Sequence, residues 1–144
     1  MINKIDHINI SVTDLESAKK FFVDIIGFKV KHEGVLQGEW IDKVVGLKNI
    51  YAKYVQLSIA GAETNLELIQ YFNPLGEIDS KINQANQIGF RHLAFEVNEI
   101  EKIHQKIKNS GVRISEIQVY NVTKKLCYFD GPDGIILELC QYDN

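Results

Sequence analysis

Four side chains in this 144-residue sequence have the types and placement to hold a divalent metal ion together: His7, Glu67, His92 and Glu138. Two imidazole nitrogens and two carboxylate oxygens suit Ni, Co, Mn, Fe or Zn, with water in the remaining positions, so the donor types do not choose among these ions. What singles out these four is repetition. Leu66-Glu67-Leu68-Ile69-Gln70-Tyr71 returns as Leu137-Glu138-Leu139-Cys140-Gln141-Tyr142, identical at five of six positions. His7 to Val12, followed by Thr13-Asp14-Leu15-Glu16, parallels His92 to Val97, followed by Asn98-Glu99-Ile100-Glu101, at an offset of 85 residues (92 − 7). The chain is a duplicated module in which each copy opens with a histidine on a strand and closes with a glutamate on a strand. A single strand histidine is more often a hydrogen-bonded core residue than a ligand, and a single strand glutamate more often solvated. Four at repeat-equivalent positions reverse that expectation.

The elements that must position them follow from periodicity. Positions 4–12 set His7, Asn9 and Ser11 against Ile8, Ile10 and Val12, the period-two pattern of a half-buried strand. Thr13-x-x-Glu16 then reads as a capping box, and Leu15, Ala18, Phe21, Phe22, Ile25 and Ile26 form an apolar stripe at helical spacing that Gly27 ends. The second copy repeats this with a strand over 91–97, Asn98-x-x-Glu101 as the cap, Ile100, Ile103 and Ile107 on the stripe, and Gly111 past the end. Strand-like runs over 28–36, 53–60 and 64–72, then 112–120, 123–130 and 134–142, complete two βαβββ units.

By strand parity, Leu66, Leu68, Leu137 and Leu139 pack on the helices, as do Ile8, Ile10 and Val12. All four candidate ligands then face the inner side, where paired copies related by a pseudo-twofold axis bring them into one cavity. Carboxylates on a sheet interior are costly unless neutralised or bound to a cation. Asn9, Ser11, Tyr71 and Cys140 share that side and are candidate substrate-pocket residues. His32 and His104 lack such partners and read as surface residues.

The two copies differ in length, since 60 residues separate His7 from Glu67 and only 46 separate His92 from Glu138. The surplus falls in 37–51, which carries the only Trp, Trp40, with Ile41, Val44, Val45 and Leu47. It is either a lid over substrate or a packing insertion. The expected organisation is one domain, with module one over about 4–73, a linker over 74–88 that includes a short helix near 78–86, and module two over about 89–142.

Composition excludes several classes. A net charge of −3, with two arginines and dispersed lysines, provides no phosphate-tracking stripe for nucleic acid. No apolar run approaches the roughly 20 residues that span a bilayer, and the N-terminus lacks the order of a signal peptide. The two cysteines, Cys127 and Cys140, read as buried thiols in a reducing compartment, so a cytoplasmic location is expected.

At this point the chain resembles the vicinal oxygen chelate superfamily, which includes glyoxalase I, methylmalonyl-CoA epimerase, extradiol dioxygenases and bleomycin- or fosfomycin-resistance proteins. The resemblance is carried by Ile5-Asp6-His7-Ile8, Ala18-Lys19-Lys20-Phe21-Phe22, Gly27-Phe28, Leu66-Glu67-Leu68, His92-Leu93-Ala94-Phe95-Glu96-Val97, Asp130-Gly131-Pro132-Asp133-Gly134 and Leu137-Glu138-Leu139. It implies an α+β fold of tandem βαβββ modules, a cupped mixed sheet around one divalent metal with helices on the outer face, and a homodimer acting on a small molecule. The ligand order His7, Glu67, His92, Glu138 matches bacterial glyoxalase I; the epimerases carry Gln where this chain has Glu67. The Arg and Asn that clamp glutathione in such enzymes are replaced by Ser11 and Tyr71, and the epimerases' second catalytic carboxylate has no counterpart in Asn49-Ile50-Tyr51-Ala52-Lys53.

The expected activity is that of a metal-dependent lyase or isomerase, similar to lactoylglutathione lyase. A Lewis-acidic ion holds a substrate carbonyl or hydroxyl oxygen while a glutamate, Glu138 first and Glu67 as its symmetry mate, takes the proton alpha to it. The alternatives are an acyl-CoA epimerase, a non-catalytic drug-binding resistance protein, and an extradiol dioxygenase, against which the second glutamate argues.

Overall fold

The structure, a computed structural model, describes residues 1–143. It comprises two compact units, residues 1–77 and Ile78 onward. Each contains a four-stranded mixed sheet with the same strand connectivity, an α+β arrangement.

In the first unit, β1 (His7–Ser11) leads into α1 (Leu15–Lys20), which continues as a π-helical segment, Phe21–Ile26. β2 (Lys29–Gln37), α2 (Glu39–Val45), β3 (Tyr51–Ser58) and β4 (Asn65–Asn73) follow. The strand order is β1-β4-β3-β2, with β1 parallel to β4 and the remaining pairs antiparallel. In the second unit β5 (His92–Glu96), α3 (Ile100–Asn109), β6 (Gln118–Tyr120), β7 (Lys124–Asp130) and β8 (Ile136–Tyr142) give the order β5-β8-β7-β6. β5 is parallel to β8 as β1 is to β4. The parallel pairing follows from the helix between β1 and the hairpin strands, since a crossover returns a strand in the same sense.

One face of each sheet is apolar and closed. Leu66, Leu68, Val55 and Leu57 are buried with Phe22, Ala18 and Leu15 in the first unit; Leu137, Leu139, Phe129 and Cys127 are buried with Ile100 and Ile107 in the second. The repeated glutamine of the two hexapeptides has a structural role: Gln70 Oε1 accepts from the Leu15 N–H at 2.8 Å, and Gln141 Oε1 accepts from the Ile100 N–H at 2.9 Å. Each caps the start of its module's helix from the neighbouring strand, meeting a donor that a helix end leaves without an intrahelical partner.

Several expectations are corrected. The first helix is capped by Asp14 rather than Thr13, with the Ser17 N–H and hydroxyl donating to its carboxylate at 3.0 and 2.8 Å. In the second module the Glu99 side chain makes no capping bond, and Gln141 supplies the acceptor. Residues 79–87 form hydrogen-bonded turns, not a helix, and the run 112–120 yields a strand of three residues plus an isolated bridge from Ile114 to Phe129. His104 is buried, 8% exposed, with Nε2 2.9 Å from the Ser115 carbonyl oxygen. It lies on the inward side of α3 beside Ile100 and Ile107, so it packs rather than facing solvent. His32 is exposed and meets Tyr54 edge-on. No helix among the described residues is long and apolar enough to cross a membrane.

Candidate functional site

Period-two alternation places His7 and Asn9 on the same side of β1, and the parallel register sets Asn9 beside Glu67 on β4. His7 Nε2 lies 3.9 Å from Glu67 Oε1, and Asn9 Nδ2 donates to that oxygen at 2.8 Å. His7 Nδ1 is 2.9 Å from Asp6 Oδ2. This contact outweighs the opposing effect of desolvation and holds the Asp6 carboxyl below its usual range.

In the second unit the equivalent pair is tighter. His92 Nε2 lies 3.1 Å from Glu138 Oε2, and the His92 ring stacks at a tilt on Tyr128, centroids 5.2 Å apart. Glu138 is 5% exposed. Lys124 Nζ stands 3.8 Å from its other oxygen and also lies over the Tyr142 ring. A hydrogen bond to Tyr142 raises the Lys124 pKa, with Glu138 adding to it, so this ammonium stays charged.

The structure thus brings together His7 with Glu67 and His92 with Glu138, one pair in each unit. Among the described residues no group of three or more His, Cys, Asp or Glu is gathered that could hold a metal ion. The donor chemistry of each pair fits a divalent ion: an imidazole nitrogen facing a carboxylate on one sheet face.

The remaining predicted pocket residues divide. Asn9 touches Glu67 directly, whereas Ser11 is exposed at the end of β1. Tyr71 packs against the cluster of Ile41, Ile50, Ala52 and Ile69, through which α2 rests on the inner side of the first sheet. Within the segment 37–51 the helix α2 is anchored by Ile41, 6% exposed, and Asp42 accepts from the Asn49 and Ile50 N–H groups of the following loop at 2.9 Å. Trp40 is 58% exposed on its outer side. Cys140 is buried near Glu138, and burial followed by that charge raises its thiol pKa.

Sequence reasoning did not single out the cavity of the second unit. It measures about 560 Å³ and is walled mainly by Val119, Tyr120, Leu126, Tyr128 and Ile136, with Gln118 and Ser115 as polar groups. Its charged wall residues, Arg113 and Asp130, neutralise one another in a two-point pair at 2.7 and 2.9 Å. Tyr128 lines it and also touches His92, so the cavity adjoins the His92/Glu138 pair. The register of β7 on β8 sets Tyr128 opposite Glu138, a pairing that no local sequence pattern signals. Asp6 and Lys124 were also missed, although Asp6 is visible in the sequence as the neighbour of His7.

Comparison with known proteins agrees with this architecture. The chain is 29% identical to the uncharacterized protein YaeR of Escherichia coli K12 over 139 residues, covering 96% of this chain and 95% of that one. It is 25% identical to a 2-epi-5-epi-valiolone epimerase of an Actinomyces species over 113 residues, 76% of this chain and 61% of the relative. A crystal structure of a glyoxalase family protein from Bacillus cereus shares the fold with a TM-score of 0.90 at 22% identity, covering 100% of this chain and 97% of that one. The model of the Glyoxalase/Bleomycin resistance protein/Dioxygenase superfamily matches residues 4–139, nearly the whole length, and the chain belongs to that superfamily.

Proposed function

We propose that this protein is a divalent-metal-dependent lyase or isomerase of the glyoxalase I type, moving a proton alpha to a carbonyl of a small substrate. The observation that carries this reading is the meeting of histidine and glutamate at repeat-equivalent positions in both units, at 3.9 and 3.1 Å. His7, Glu67, His92 and Glu138 would hold the ion, which when bound would supply a Lewis acid for a substrate oxygen. Glu138 takes the proton. Its burial beside Tyr128 keeps water away from the carboxylate, and Tyr128, its cross-strand neighbour, is the residue that links it to the cavity wall. Lys124 offsets its charge before substrate enters. Assembly as a homodimer belongs to the same reading.

The cavity supports a substrate class. At about 560 Å³ it falls within the roughly 300–1,000 Å³ of small-molecule sites. Its apolar, charge-neutral wall favours an uncharged or partly apolar 2-oxo or hydroxycarbonyl compound, or the acyl end of a thioester. Ser11 and Tyr71 offer no cationic or amide clamp for glutathione. The same wall favours a second reading, non-catalytic binding of an apolar small molecule.

Proton exchange separates the two. The protein, loaded in turn with Ni, Co, Mn, Fe or Zn, is incubated in deuterium oxide with a panel of 2-hydroxyketones, 2-oxo acids and acyl thioesters and followed by proton NMR. Metal-dependent loss of an alpha-proton signal is expected with at least one ion. Tight binding of panel members with no exchange under any ion would sink the enzyme reading in favour of the binding protein.

A further inference from the structure

Stepping through the chain by the 85-residue repeat offset puts Arg91 where Asp6 stands and Ala94 where Asn9 stands. These two differences fall on the two side chains that touch the first histidine–glutamate pair. An ionised carboxylate can only accept a hydrogen bond, so the 2.9 Å contact from Asp6 places the proton of neutral His7 on Nδ1. The lone pair is then on Nε2, the nitrogen that faces Glu67. Asn9 in turn donates to Glu67 Oε1 and holds the carboxylate in one orientation.

The second copy has neither support. Arg91 turns to backbone carbonyls, its Nε donating to Phe90 O at 2.9 Å and its Nη1 to Gln84 O at 3.2 Å. Ala94, opposite Glu138 in the register, has no polar side-chain atom to offer. His92 Nε2 lies 3.1 Å from Glu138 Oε2 as an ion-pair contact, and the place that Asp6 holds beside His7 is taken here by Arg91, so the His92 tautomer is not preset in the way that of His7 is.

We propose that the two pairs divide the work. His7/Glu67 is a preset holding pair in which Asp6 and Asn9 are positioning residues, and His92/Glu138 is left without such support so that the Glu138 carboxylate is free to change partners. The proposal rests on the metal-dependent reading above. Outer partners that orient a ligand histidine or carboxylate typically set about 10–100-fold in metal affinity, which gives the scale of the expected effect.

The test uses the full chain and two measurements. Long-range ¹H–¹⁵N spectra of the metal-free protein read the tautomer of each histidine, and calorimetric titration with Co²⁺ reads affinity. Wild type is expected to show His7 as a single tautomer protonated at Nδ1. Asp6→Asn is expected to turn His7 into a mixture of tautomers, and Asp6→Asn and Asn9→Ala each to weaken Co²⁺ by about tenfold or more. Arg91→Ala is expected to leave affinity within roughly threefold of wild type, well under that range. Both supporting side chains are exposed, so melting temperatures are expected to stay near that of wild type and the loss is not one of folding. Retention of the single His7 tautomer in Asp6→Asn, retention of affinity in both variants, or an equal loss in Arg91→Ala would overturn the division of labour. A wild-type protein that binds no Co²⁺ would instead overturn the metal-dependent reading, and the tautomer measurement, which needs no metal, would still decide the roles of Asp6 and Asn9.

Discussion

Glu138 and the histidines have separable jobs at the scale of single residues. Changing a carboxylate to an amide keeps a coordinating oxygen but removes the base, whereas His→Ala removes a donor altogether. Glu138→Gln is therefore expected to lower turnover by about 10²–10⁴-fold while metal affinity changes much less, and His7→Ala or His92→Ala to abolish metal retention. Parallel metal analysis and rate measurements check the contrast, and equal metal loss in all three variants would leave Glu138 as a ligand only. Cys127 gives a second residue-level expectation. Burial pushes its thiol up to about 11 from 9.0, so in the folded protein it stays protonated at mildly alkaline pH, where an unfolded thiol ionises. Alkylation of Cys127 at pH 8.5 is expected to be slower in the folded chain than in urea by on the order of a hundredfold, read by peptide mass spectrometry.

At the scale of elements, the same glutamine solves the same problem twice. Gln70 and Gln141 each reach from the last strand to the first N–H of a helix, tying the strand to the helix it packs against. Replacing either by Ala should cost about 1 kcal/mol, the typical value of a lost N-terminal cap. The matching fall of roughly 2–5 °C in melting temperature is measurable by circular dichroism. α2 distinguishes packing from covering. Ile41→Ala removes a side chain buried against Ile69 and Ala52 and is expected to cost about 2–5 kcal/mol. Trp40→Ala removes an exposed ring and is expected to leave stability within about 0.5 kcal/mol. If α2 also covers substrate, Trp40→Ala raises KM, and an unchanged KM would leave α2 as packing alone.

At the scale of the whole molecule, one divalent ion is expected for each complete His7/Glu67/His92/Glu138 set. Elemental analysis after reconstitution gives the ratio. Because an ion bound to the folded state alone stabilises it by about 2.7 kcal/mol at a hundred times its dissociation constant, chelation should lower the melting temperature and re-addition restore it. Indifference to both would count against the ion. The substrate expectation is also a property of the assembled cavity. Losing a charged clamp costs about 1.5–3 kcal/mol per contact. Turnover of the hemithioacetal of glutathione and methylglyoxal is accordingly expected to be poor, and an efficiency of ~10⁶ M⁻¹s⁻¹ or more would show that other residues recognise glutathione.

The duplication, the strand–helix order of each module and the facing of His7, Asn9, Glu67, His92 and Glu138 could be read from the amino acids alone. Each depends on periodicity, which local backbone geometry imposes within a single element. Helix starts were read less well, because the acceptor that caps α3 comes from Gln141, 41 residues away, and no local pattern encodes a partner at that distance. His104 was misplaced for a similar reason, its partner being the Ser115 carbonyl in the loop beyond the helix. Only the tertiary structure decided that α2 rests on the inner sheet face, that Asn9 supports Glu67 while Ala94 offers Glu138 no such side-chain contact, and that Tyr128 joins an uncharged cavity to His92. These depend on register between strands and on which side chains fill the space above a sheet, and both are settled by packing between segments far apart in the chain.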